Sequence, residues 1–522
     1  MSLFTKVKMT RIKKNKFNLS HEVKLTCDMT ELIPVLTQEI YPGDSFRVKT
    51  EILMRFAPML APIMHRVNIK THYFFVPNRL VWDEWEDFIT GGSQGDLNPA
   101  FPQVAINNTV ADNFRIGTLP DYMNVPVVDT TVSNAQAISA LPFRAYQLIY
   151  NEYFRDQNLS EPVEFSTGSG LTNNAQETED LTAIRYKAWD KDYFTSALPW
   201  AQRGGEASIP IGDIVYNDTT PLKDYDPLDP TANDPADATT ISSVGGQLFS
   251  DTDGPVTLRN IQEIGATSIN ELRKAWRLQE WLEKSARGGA RYIEQILSHF
   301  GVKSSDARLQ RPEYLGGGVT PVRISEVLST YNNVDETGEI QGEPQGQMSG
   351  HGIAAGNQHG FSRTFEEHGY VIGIMTVLPK PAYQQGLDRH WSRVDKYDYY
   401  WPEFANLGEQ EILNKELLLN YNAQDDTNDE TFGYQSRYAE LKYKQSTVHG
   451  DFKKNLSFWH LGRQFTQMPN LNEDFVMANN INDDLDRIFA VEEENVDSLY
   501  VQIYHKISAL RPMPIYGTPS TL

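Results

Sequence analysis

Apolar and polar residues alternate in segments near both ends of the chain. Residues 44–50 and 66–76 place apolar side chains at every second position, and residues 498–507 repeat this alternation. Residues 370–378 form an almost continuous apolar run with several β-branched side chains. Successive side chains of a strand point to opposite faces, so a period of two predicts strands. We expect strands from the two ends to pair within one large β domain.

Helical spacing dominates the middle of the chain. Ser268 and Glu271 match a capping box, in which each side chain bonds the backbone N–H of the other residue. Apolar residues then recur every three or four positions. The two glycines at 288–289 are expected to end the first helix, and Gly301 a second one. The sequence therefore predicts a helical segment over residues 267–301.

Four further segments have other patterns. Residues 82–89 and 143–155 carry apolar residues at helical spacing and are predicted as short helices. Residues 56–63 contain two prolines, which exclude a helix interior or a central strand, so a buried irregular connection is expected. Residues 332–362 are rich in Gly and Gln and are predicted to form a flexible loop.

The composition is that of a large globular protein. The 522 residues are 40% hydrophobic and 22% charged and include 24 Phe, 25 Tyr and 9 Trp, so disorder of the whole chain is excluded. The single cysteine, Cys27, excludes a fold built on internal disulfides. The first twenty residues show no apolar segment typical of a secretory signal, and no stretch approaches the roughly 20 apolar residues of a membrane span. We therefore expect synthesis in a cytosol and no membrane insertion.

Positive charge is concentrated in residues 1–20, although the net charge of the chain is −22. This segment contains six basic residues and no acidic residue. A flexible basic arm can neutralise phosphates and release their counterions. A solvated terminal tail is the plainer interpretation of the same charges. The candidate nucleic-acid-binding residues are Lys6, Lys8, Arg11, Lys13, Lys14 and Lys16.

Negative charge is concentrated in residues 213–256, which contain nine Asp and one Lys. Repeated Pro, Thr and Gly and the absence of apolar periodicity predict an exposed insertion or a disordered loop. The sequence DTDG at 251–254 matches only part of a calcium-binding loop, so no metal is expected there.

Motifs that would indicate catalysis are missing from the sequence. It contains no Walker A motif, no H-E-x-x-H zinc motif and no G-x-S-x-G nucleophile elbow. Three histidines lie near two glutamates, but their spacings of eight and nine residues match no regular helix or strand face. Loop and core histidines are therefore favoured over a metal site. This group consists of His351, His359, Glu366, Glu367 and His368.

Paired carboxylates give a second possible enzyme site. Glu84 and Asp87 would share one face of the helix predicted at 82–89, and glycoside hydrolases use such a pair of carboxylates. A surface helix with buried tryptophans and solvated acids explains the same residues more simply. We expect no catalytic residue, no metal and no cofactor.

Eight longer segments carry a family resemblance across nearly the whole chain. They are FNLSHEVKLTCDM at 17–29, ELIPVL at 31–36, RFAPMLAPIMHRV at 55–67, THYFFVPNRLVWDEWEDFITGG at 71–92, KSARGGARYIEQILSHFGVKSSDARLQRPEYLGG at 284–317, YQQGLDRHWSR at 383–393, WHLGRQF at 459–465 and RPMPIYGTP at 511–519. These segments resemble the major capsid proteins of small single-stranded DNA bacteriophages, the Microviridae, and especially their gokushovirus-like branch.

The resemblance implies a mainly β fold, namely a viral jelly roll, an eight-stranded antiparallel β-barrel with long loop and helical insertions. It implies self-assembly into a small icosahedral (T=1) shell around a circular single-stranded DNA genome, within a virion assembled in the host bacterial cytoplasm. Minor (pilot) and internal scaffolding proteins are the further partners it implies. Residues 1–20 would then be a basic arm and residues 21–522 a single jelly-roll domain.

In gokushovirus-like members, a large insertion forms a protrusion at the threefold axes. The acidic segment 213–256 is our candidate for this protrusion, and a host cell-surface receptor is its expected partner. The candidate receptor-contacting residues are Asp218, Asp224, Tyr225, Asp226, Asp229, Asp234 and Asp237. A β-rich carbohydrate-active enzyme and a glycan-binding module are the alternatives from other functional classes.

Overall fold

The computed structural model describes most of the chain. The described residues are 13–128, 131–172, 174–205, 207, 241–244, 247–250, 268–328, 348–421, 426–478, 483–490 and 496–516. The chain forms two compact units. One comprises Met1–Ala201 with Gly288–Leu522, and the other comprises Gln202–Arg287.

The strands are named here in chain order. They are β1 (Asn15–Asn18), β2 (His21–Cys27), β3 (Ile33–Ile40), β4 (Ser45–Phe56), β5 (Val67–Pro77), β6 (Gln103–Ile106), β7 (Gln136–Ser139), β8 (Leu171–Thr172), β9 (Ile241–Val244), β10 (Gln247–Ser250), β11 (Glu313–Pro321), β12 (Arg323–Leu328), β13 (Met348–Thr364), β14 (Gly369–Pro379), β15 (Glu409–Leu413), β16 (Thr431–Ser436) and β17 (Leu499–Arg511).

Along the chain, the described helices come after β5 and before β17. The α-helices are α1 (Trp85–Thr90), α2 (Leu119–Tyr122), α3 (Leu141–Ile149), α4 (Ala175–Thr182), α5 (Ile269–Gly288), α6 (Tyr292–Phe300), α7 (Asn414–Leu417), α8 (Ala439–Lys442) and α9 (Glu473–Val476). A π-helical turn, Tyr150–Phe154, extends α3. Short 3-10 turns occupy Asn78–Leu80, Ala111–Phe114, Arg389–Ser392, Lys396–Asp398, Pro402–Phe404, Asp426–Asp429, Gly450–Lys453, Ser457–Trp459 and Leu485–Ile488.

Two antiparallel sheets form the centre of the larger unit. In sheet 1 the order is β1–β17–β4–β13–β12, with β2 continuing the pairing of β1 along β17, and in sheet 2 it is β11–β5–β14–β3. We count β1 and β2 together as segment 1, and β3, β4, β5, β11, β13, β14 and β17 as segments 2 to 8, while β12 extends sheet 1 beyond β13. The order of segments is then 1-8-3-6 in sheet 1 and 2-7-4-5 in sheet 2. This interleaving of strands from both ends is that of a jelly roll. Sheets 1 and 2 pack together, and their described strands do not close into a continuous barrel. Three smaller sheets of the described strands, β7–β6–β8, β9–β10 and β15–β16, lie outside this sandwich in the order of strands.

Alternation along β4 and β17 explains how the sheets pack. Phe46, Val48, Thr50, Ile52 and Met54 of β4 point inward and are buried, whereas the residues that alternate with them are exposed or half-buried. They pack against residues of sheet 2 that are also almost inaccessible, including Tyr73. The predicted strands at 44–50, 66–76, 370–378 and 498–507 are confirmed.

Strands β5 and β14 of sheet 2 are largely buried on both faces. One face packs on sheet 1, and Phe74 and Ile372 on the other face pack against Phe143 and Tyr146 of α3. A strand with two buried faces needs no polar positions. This burial explains why the sequence of β14 is a nearly continuous apolar run.

The two ends of the chain pair within sheet 1. Ile503 of β17 lies opposite Val23 of β2 on one side and Ile52 of β4 on the other. The predicted pairing between the first and last strands is therefore confirmed, and the last strand occupies an interior position of the sheet.

Two buried histidines connect the sheets. His505 of sheet 1 donates from Nε2 to the carbonyl oxygen of Val35 in sheet 2, at 2.9 Å. Its Nδ1 therefore accepts from the Thr50 hydroxyl at 2.9 Å, and that hydroxyl accepts from Tyr73 at 2.6 Å. His359 of β13, in sheet 1, forms hydrogen bonds with the hydroxyls of Thr71 and Thr320, which both belong to sheet 2. These bonds satisfy polar groups that would be costly to bury alone.

The prediction of a flexible loop over 332–362 is wrong for residues 348–362, which lie in β13. The glycines there allow neighbouring segments to pack closely against β13 and do not make it flexible. A Cβ at Gly350 would lie 2.4 Å from the carbonyl oxygen of Ala61, and one at Gly352 would lie 2.7 Å from the Phe56 ring. Residues 332–347 fall outside the described part of the chain.

The helical predictions agree with the structure in most places. Ser268 and Glu271 form the expected capping box, with bonds of 2.9 and 3.1 Å. Helix α5 ends at Gly288, and α6 ends before Gly301, which has φ = +68°. Helix α1 begins three residues later than predicted, because Trp82 belongs to the preceding turn. Strands β9 and β10 form a short antiparallel hairpin in the predicted acidic insertion, which the sequence did not predict.

Acid should destabilise this fold through the buried histidines. Burial lowers the pKa of His505 to about 4, below its ordinary value of 6.5. Between these two pH values the unfolded chain binds a proton that the folded chain does not, so stability falls as pH decreases from about 6.5 to 4. We expect the melting temperature of the full-length, unassembled chain to drop between pH 7 and pH 5.

The substitution His505→Gln should reduce this pH dependence while lowering stability at pH 7 by about 1–3 kcal/mol through lost buried hydrogen bonds. Thermal unfolding followed by circular dichroism at both pH values measures the two effects. His449→Gln, which changes an exposed histidine, is the matched control. If the pH dependence of the melting temperature were unaltered in His505→Gln, the acid destabilisation would not arise from His505.

Candidate nucleic-acid interface

The solvent-exposed side of sheet 1 is basic. Its basic side chains alternate along the strands with the buried core residues, as the period of two requires. Register places these side chains on one face, which we call the basic face. On strands β1, β2, β4 and β17, to which we restrict the name, it comprises the six cations Lys16, Lys24, Arg47, Lys49, Arg55 and Lys506, and the two acids Glu22 and Glu51.

The cations of the basic face are mostly unneutralised. Lys49 of β4 lies directly opposite Lys506 of β17. Like charges at opposed positions of a sheet repel and lower stability. Neither of these lysines, nor Arg47 or Arg55, forms an ion pair with any other described residue. An anionic ligand on this face would relieve the repulsion.

Aromatic rings lie among these cations. Tyr500 lies opposite Arg55, and its side chain is 40% exposed. Tyr504 lies two positions further along the same face of β17 and is half-buried. Cations combined with exposed aromatic rings are the elements that bind single-stranded nucleic acid, through phosphate contacts and base stacking.

The structure describes only part of the predicted basic arm. Lys16 lies in β1 and contributes to the basic face. Lys14 donates to the carbonyl oxygen of Gly43 at 2.5 Å, and Lys13 is exposed. The predicted binding residues Lys6, Lys8 and Arg11 lie outside the described residues, as do all seven candidate receptor-contacting residues of the acidic insertion.

The predicted basic arm and the basic face are joined at β1, since this strand pairs with β17 along the edge of sheet 1. Sequence alone did not identify the basic residues of β2, β4 and β17 as one surface. Alternation of charged and apolar residues in β4 was the available signal, but it did not show which strands are neighbours.

The histidines and glutamates considered as metal ligands are separated in the fold. His359 is buried in β13, whereas His368 packs against the Tyr41 and Trp85 rings. Glu367 forms an ion pair with Arg79 at 2.6 Å. Among the described residues, no group of three or more His, Cys, Asp or Glu side chains is arranged to hold a metal ion.

The carboxylates considered for glycoside hydrolysis lie on the surface. Glu84 and Asp87 are both exposed. Trp82 is fully buried, and its ring contacts Trp85, Phe88 and Phe101. Trp82 is therefore buried just before α1, Trp85 and Phe88 of the helix are half-buried, and the acids are exposed to water.

A second surface is apolar and was not predicted from the sequence. Residues 389–407, which we call the aromatic loop, expose a series of large side chains. The exposed fraction reaches 71% for Trp391 and 94% for Val394. The other exposed members are Tyr397, Tyr399, Tyr400, Trp401 and Leu407. Large exposed apolar patches of this kind typically mark protein–protein contacts.

The aromatic loop is held in place by its own polar contacts. Asp395 caps the turn at Lys396–Asp398, and the Trp401 indole N–H donates to the carbonyl oxygen of Lys396 at 2.8 Å. The Arg393 guanidinium forms an ion pair with Glu440 at 3.0 Å. The exposed rings are therefore presented in a defined arrangement before any partner binds.

None of the described helices combines the length and the apolar character that crossing a membrane requires.

Comparisons with known proteins identify the family. Residues 5–521 match the family model described as capsid protein (F protein). The chain is 37% identical to capsid protein VP1 of Bdellovibrio phage phiMH2K and 35% identical to capsid protein VP1 of Chlamydia phage 1. It is 30% identical to capsid protein VP1 of Spiroplasma virus 4. Each alignment covers 99% of this chain and 97% of the relative.

These matches resolve the alternatives that the sequence left open, since the relatives are structural capsid proteins and not carbohydrate-active enzymes. The fold agrees, because the strand order of the two sheets is that of a jelly roll. The chain belongs to the F protein family of capsid proteins from small single-stranded DNA bacteriophages, the Microviridae, and is a structural protein of the virion.

Proposed function

We propose that copies of this chain form a closed T=1 icosahedral shell with the basic face directed inward, onto a circular single-stranded DNA genome. The basic face is the observation that carries the proposal. It holds six cations and two acids in a chain whose net charge is −22. Such segregation of charge fits a subunit with a polyanion on one side and solvent on the other.

The binding on this face is expected to depend little on DNA sequence. Lys49, Lys506 and Arg47 are extended, exposed cations that reach phosphates, and phosphate contacts carry no sequence information. Neutralising the phosphates releases condensed counterions and provides most of the affinity. A coat protein that encloses a whole genome must bind DNA of any sequence.

The basic arm, residues 1–20, extends the same function in this proposal. Its residues Lys6, Lys8, Arg11, Lys13, Lys14 and Lys16 add phosphate contacts. In the same proposal, residues 21–522 are one jelly-roll domain with insertions. The shell assembles in the host bacterial cytoplasm together with scaffolding and minor proteins.

The aromatic loop is proposed to join neighbouring copies. Trp391 and Val394 are too exposed to stabilise the isolated subunit, but burial against a second copy would remove large apolar areas from water. Interfaces between proteins are enriched in such aromatic side chains. Because the loop is already ordered, little conformational entropy is lost when it is buried.

The acidic insertion, residues 213–256, is proposed to form a protrusion at the threefold axes that attaches the virion to a host receptor. Its nine Asp residues favour an outward position, away from the enclosed polyanion. The candidate contacts are Asp218, Asp224, Tyr225, Asp226, Asp229, Asp234 and Asp237.

Charge reversal on the basic face should reduce DNA packaging. In the double variant Lys49→Glu/Lys506→Glu, two phosphate-binding cations become anions, and we expect the DNA content per particle to fall by about half or more because counterion release is lost. The ratio of nucleic acid to protein in purified particles, measured by absorbance and sedimentation, gives the result. Lys453→Glu/Lys454→Glu reverses two exposed charges outside sheet 1 and is the matched control. Equal packaging in the two variants would refute the inward basic face.

Removing a ring from the aromatic loop should impair assembly without unfolding the subunit. We expect Trp391→Ser to weaken each contact between copies by about 2 kcal/mol, a typical value for a central interfacial tryptophan. Analytical ultracentrifugation should then show subunits in place of particles, at an unchanged melting temperature of the subunit. Tyr421→Ser, which removes an aromatic side chain that is 89% exposed outside the loop, provides the comparison. Normal particles from Trp391→Ser would show that the loop is not an interface.

Deleting residues 217–254 should separate assembly from attachment. We expect particles of normal sedimentation, because the strands of sheets 1 and 2 lie outside the deleted segment. Adsorption of these particles to host cells, measured as the loss of free particles from suspension, should fall strongly. Unchanged adsorption would exclude the insertion as the attachment element.

A further inference from the structure

A cavity of about 1060 Å³ lies at one end of the basic face. Strands β2, β4 and β17 of sheet 1 line it from one side. Residues 35–37 of β3 in sheet 2 and the segment 116–124, which contains α2, complete the lining. Small-molecule sites typically span roughly 300–1,000 Å³, so this cavity has room for a nucleotide and part of its neighbours.

Register fixes the floor of the cavity. Across the three strands, Arg55, Tyr500 and Thr26 form one row of opposed residues. Leu53, Gln502 and Lys24 form the next row. Opposed residues of antiparallel strands point to the same face, so a guanidinium, a phenol ring, an amide and an ammonium group border one space.

The segment 116–124 is fixed against this floor. The Tyr122 hydroxyl donates to the carbonyl oxygen of Thr26 at 2.8 Å. The backbone N–H of Gly117 donates to the carboxylate of Asp121 at 3.0 Å. Asn124 has φ = +67°, a left-handed conformation that is uncommon for residues other than glycine. Its side chain is exposed and lines the cavity.

The lining chemistry matches a nucleotide. Arg55, which forms no ion pair with another described residue, supplies positive charge for a phosphate, and Lys24 adds charge beside its partner Glu22 at 3.5 Å. The exposed ring of Tyr500 supplies a stacking surface. The amide nitrogen of Gln502 donates to Glu22 at 3.4 Å, which leaves the amide oxygen of Gln502 as an acceptor for a base edge. Asn124 carries an amide that can both donate and accept. Glu22 already accepts from Gln502 and pairs with Lys24, and Asp121 accepts from the Gly117 N–H. Each carboxylate has a second oxygen that can receive the exocyclic amino group of cytosine.

We propose that this cavity binds one nucleotide of the single-stranded DNA, with its base stacked on Tyr500 and its edge bonded by Gln502 and Asn124. The surplus of acceptors favours cytosine over thymine, which lacks an exocyclic amino group. The inference rests on the proposed inward orientation of the basic face. It adds base-dependent contact at one point of a surface that otherwise binds phosphates.

Fluorescence anisotropy with the full-length, unassembled chain tests the cavity. A labelled ten-nucleotide oligo(dC) should bind several-fold more tightly than oligo(dT) of the same length. Tyr500→Ala should weaken oligo(dC) binding by about fivefold or more, as expected for a lost stacking contact. Tyr504→Ala removes a ring of the same face outside the cavity and should change binding less than about twofold.

Gln502→Leu should abolish the preference for oligo(dC) while leaving oligo(dT) binding nearly unchanged. Equal affinities for both oligonucleotides in the unsubstituted chain, or equal effects of the two tyrosine substitutions, would overturn the proposed site. Cross-linking of packaged DNA in intact particles by ultraviolet light, mapped by mass spectrometry, should label Tyr500 in preference to Tyr504.

These outcomes are distinguishable from failure of the inward basic face. If Lys49→Glu/Lys506→Glu reduces packaging but Tyr500→Ala behaves like Tyr504→Ala, only the nucleotide site is rejected. If the double charge reversal has no effect on packaging, the orientation of the whole face is rejected.

Discussion

The placement of β17 between β2 and β4 is the constraint on which the rest of the larger unit depends. This strand comes from the end of the chain, yet it supplies interior hydrogen bonds to both neighbours in sheet 1. Its inward residues Leu499, Val501 and Ile503 join the core between the sheets, and His505 bonds to sheet 2. Sheet 1 is therefore incomplete until the final strand is available, which requires contacts between residues several hundred positions apart.

The same strand gives the subunit its two chemically different sides. Inward positions of β17 are apolar or satisfied by hydrogen bonds, whereas outward positions carry Tyr500, Gln502 and Lys506. Packing of sheet 2 and α3 covers one side of the sandwich, so the basic face of sheet 1 is the strand surface left exposed. A single alternating pattern thus stabilises the core and supplies the proposed DNA contacts. This dual use explains how an acidic chain presents a basic surface.

Predictions from the sequence succeeded where local pattern determines structure. The capping box at Ser268, the glycine that ends α6 and the alternation in β4 depend on residues close in sequence. The prediction failed for β13 because its glycines fit against other parts of the fold. Gly350 lies against Ala61, and Gly356 lies against the Thr320 side chain, at separations in sequence that no local pattern records. The aromatic loop was missed because a run of aromatic residues alone does not distinguish a core from an exposed surface.

The sequence by itself determined the class of strand and helix segments, the uneven distribution of charge and, through long matching segments, the resemblance to a capsid family. Those properties reside in local periodicity, in composition and in residue identity. Only the tertiary structure decided which strands are neighbours, and hence that Lys49 and Lys506 meet and that Arg55, Tyr500 and Gln502 border one cavity. The physical reason is that strand pairing is set by hydrogen bonding and packing between residues far apart in sequence. The entropy lost in bringing these residues together and the free energy gained by packing them depend on the whole fold.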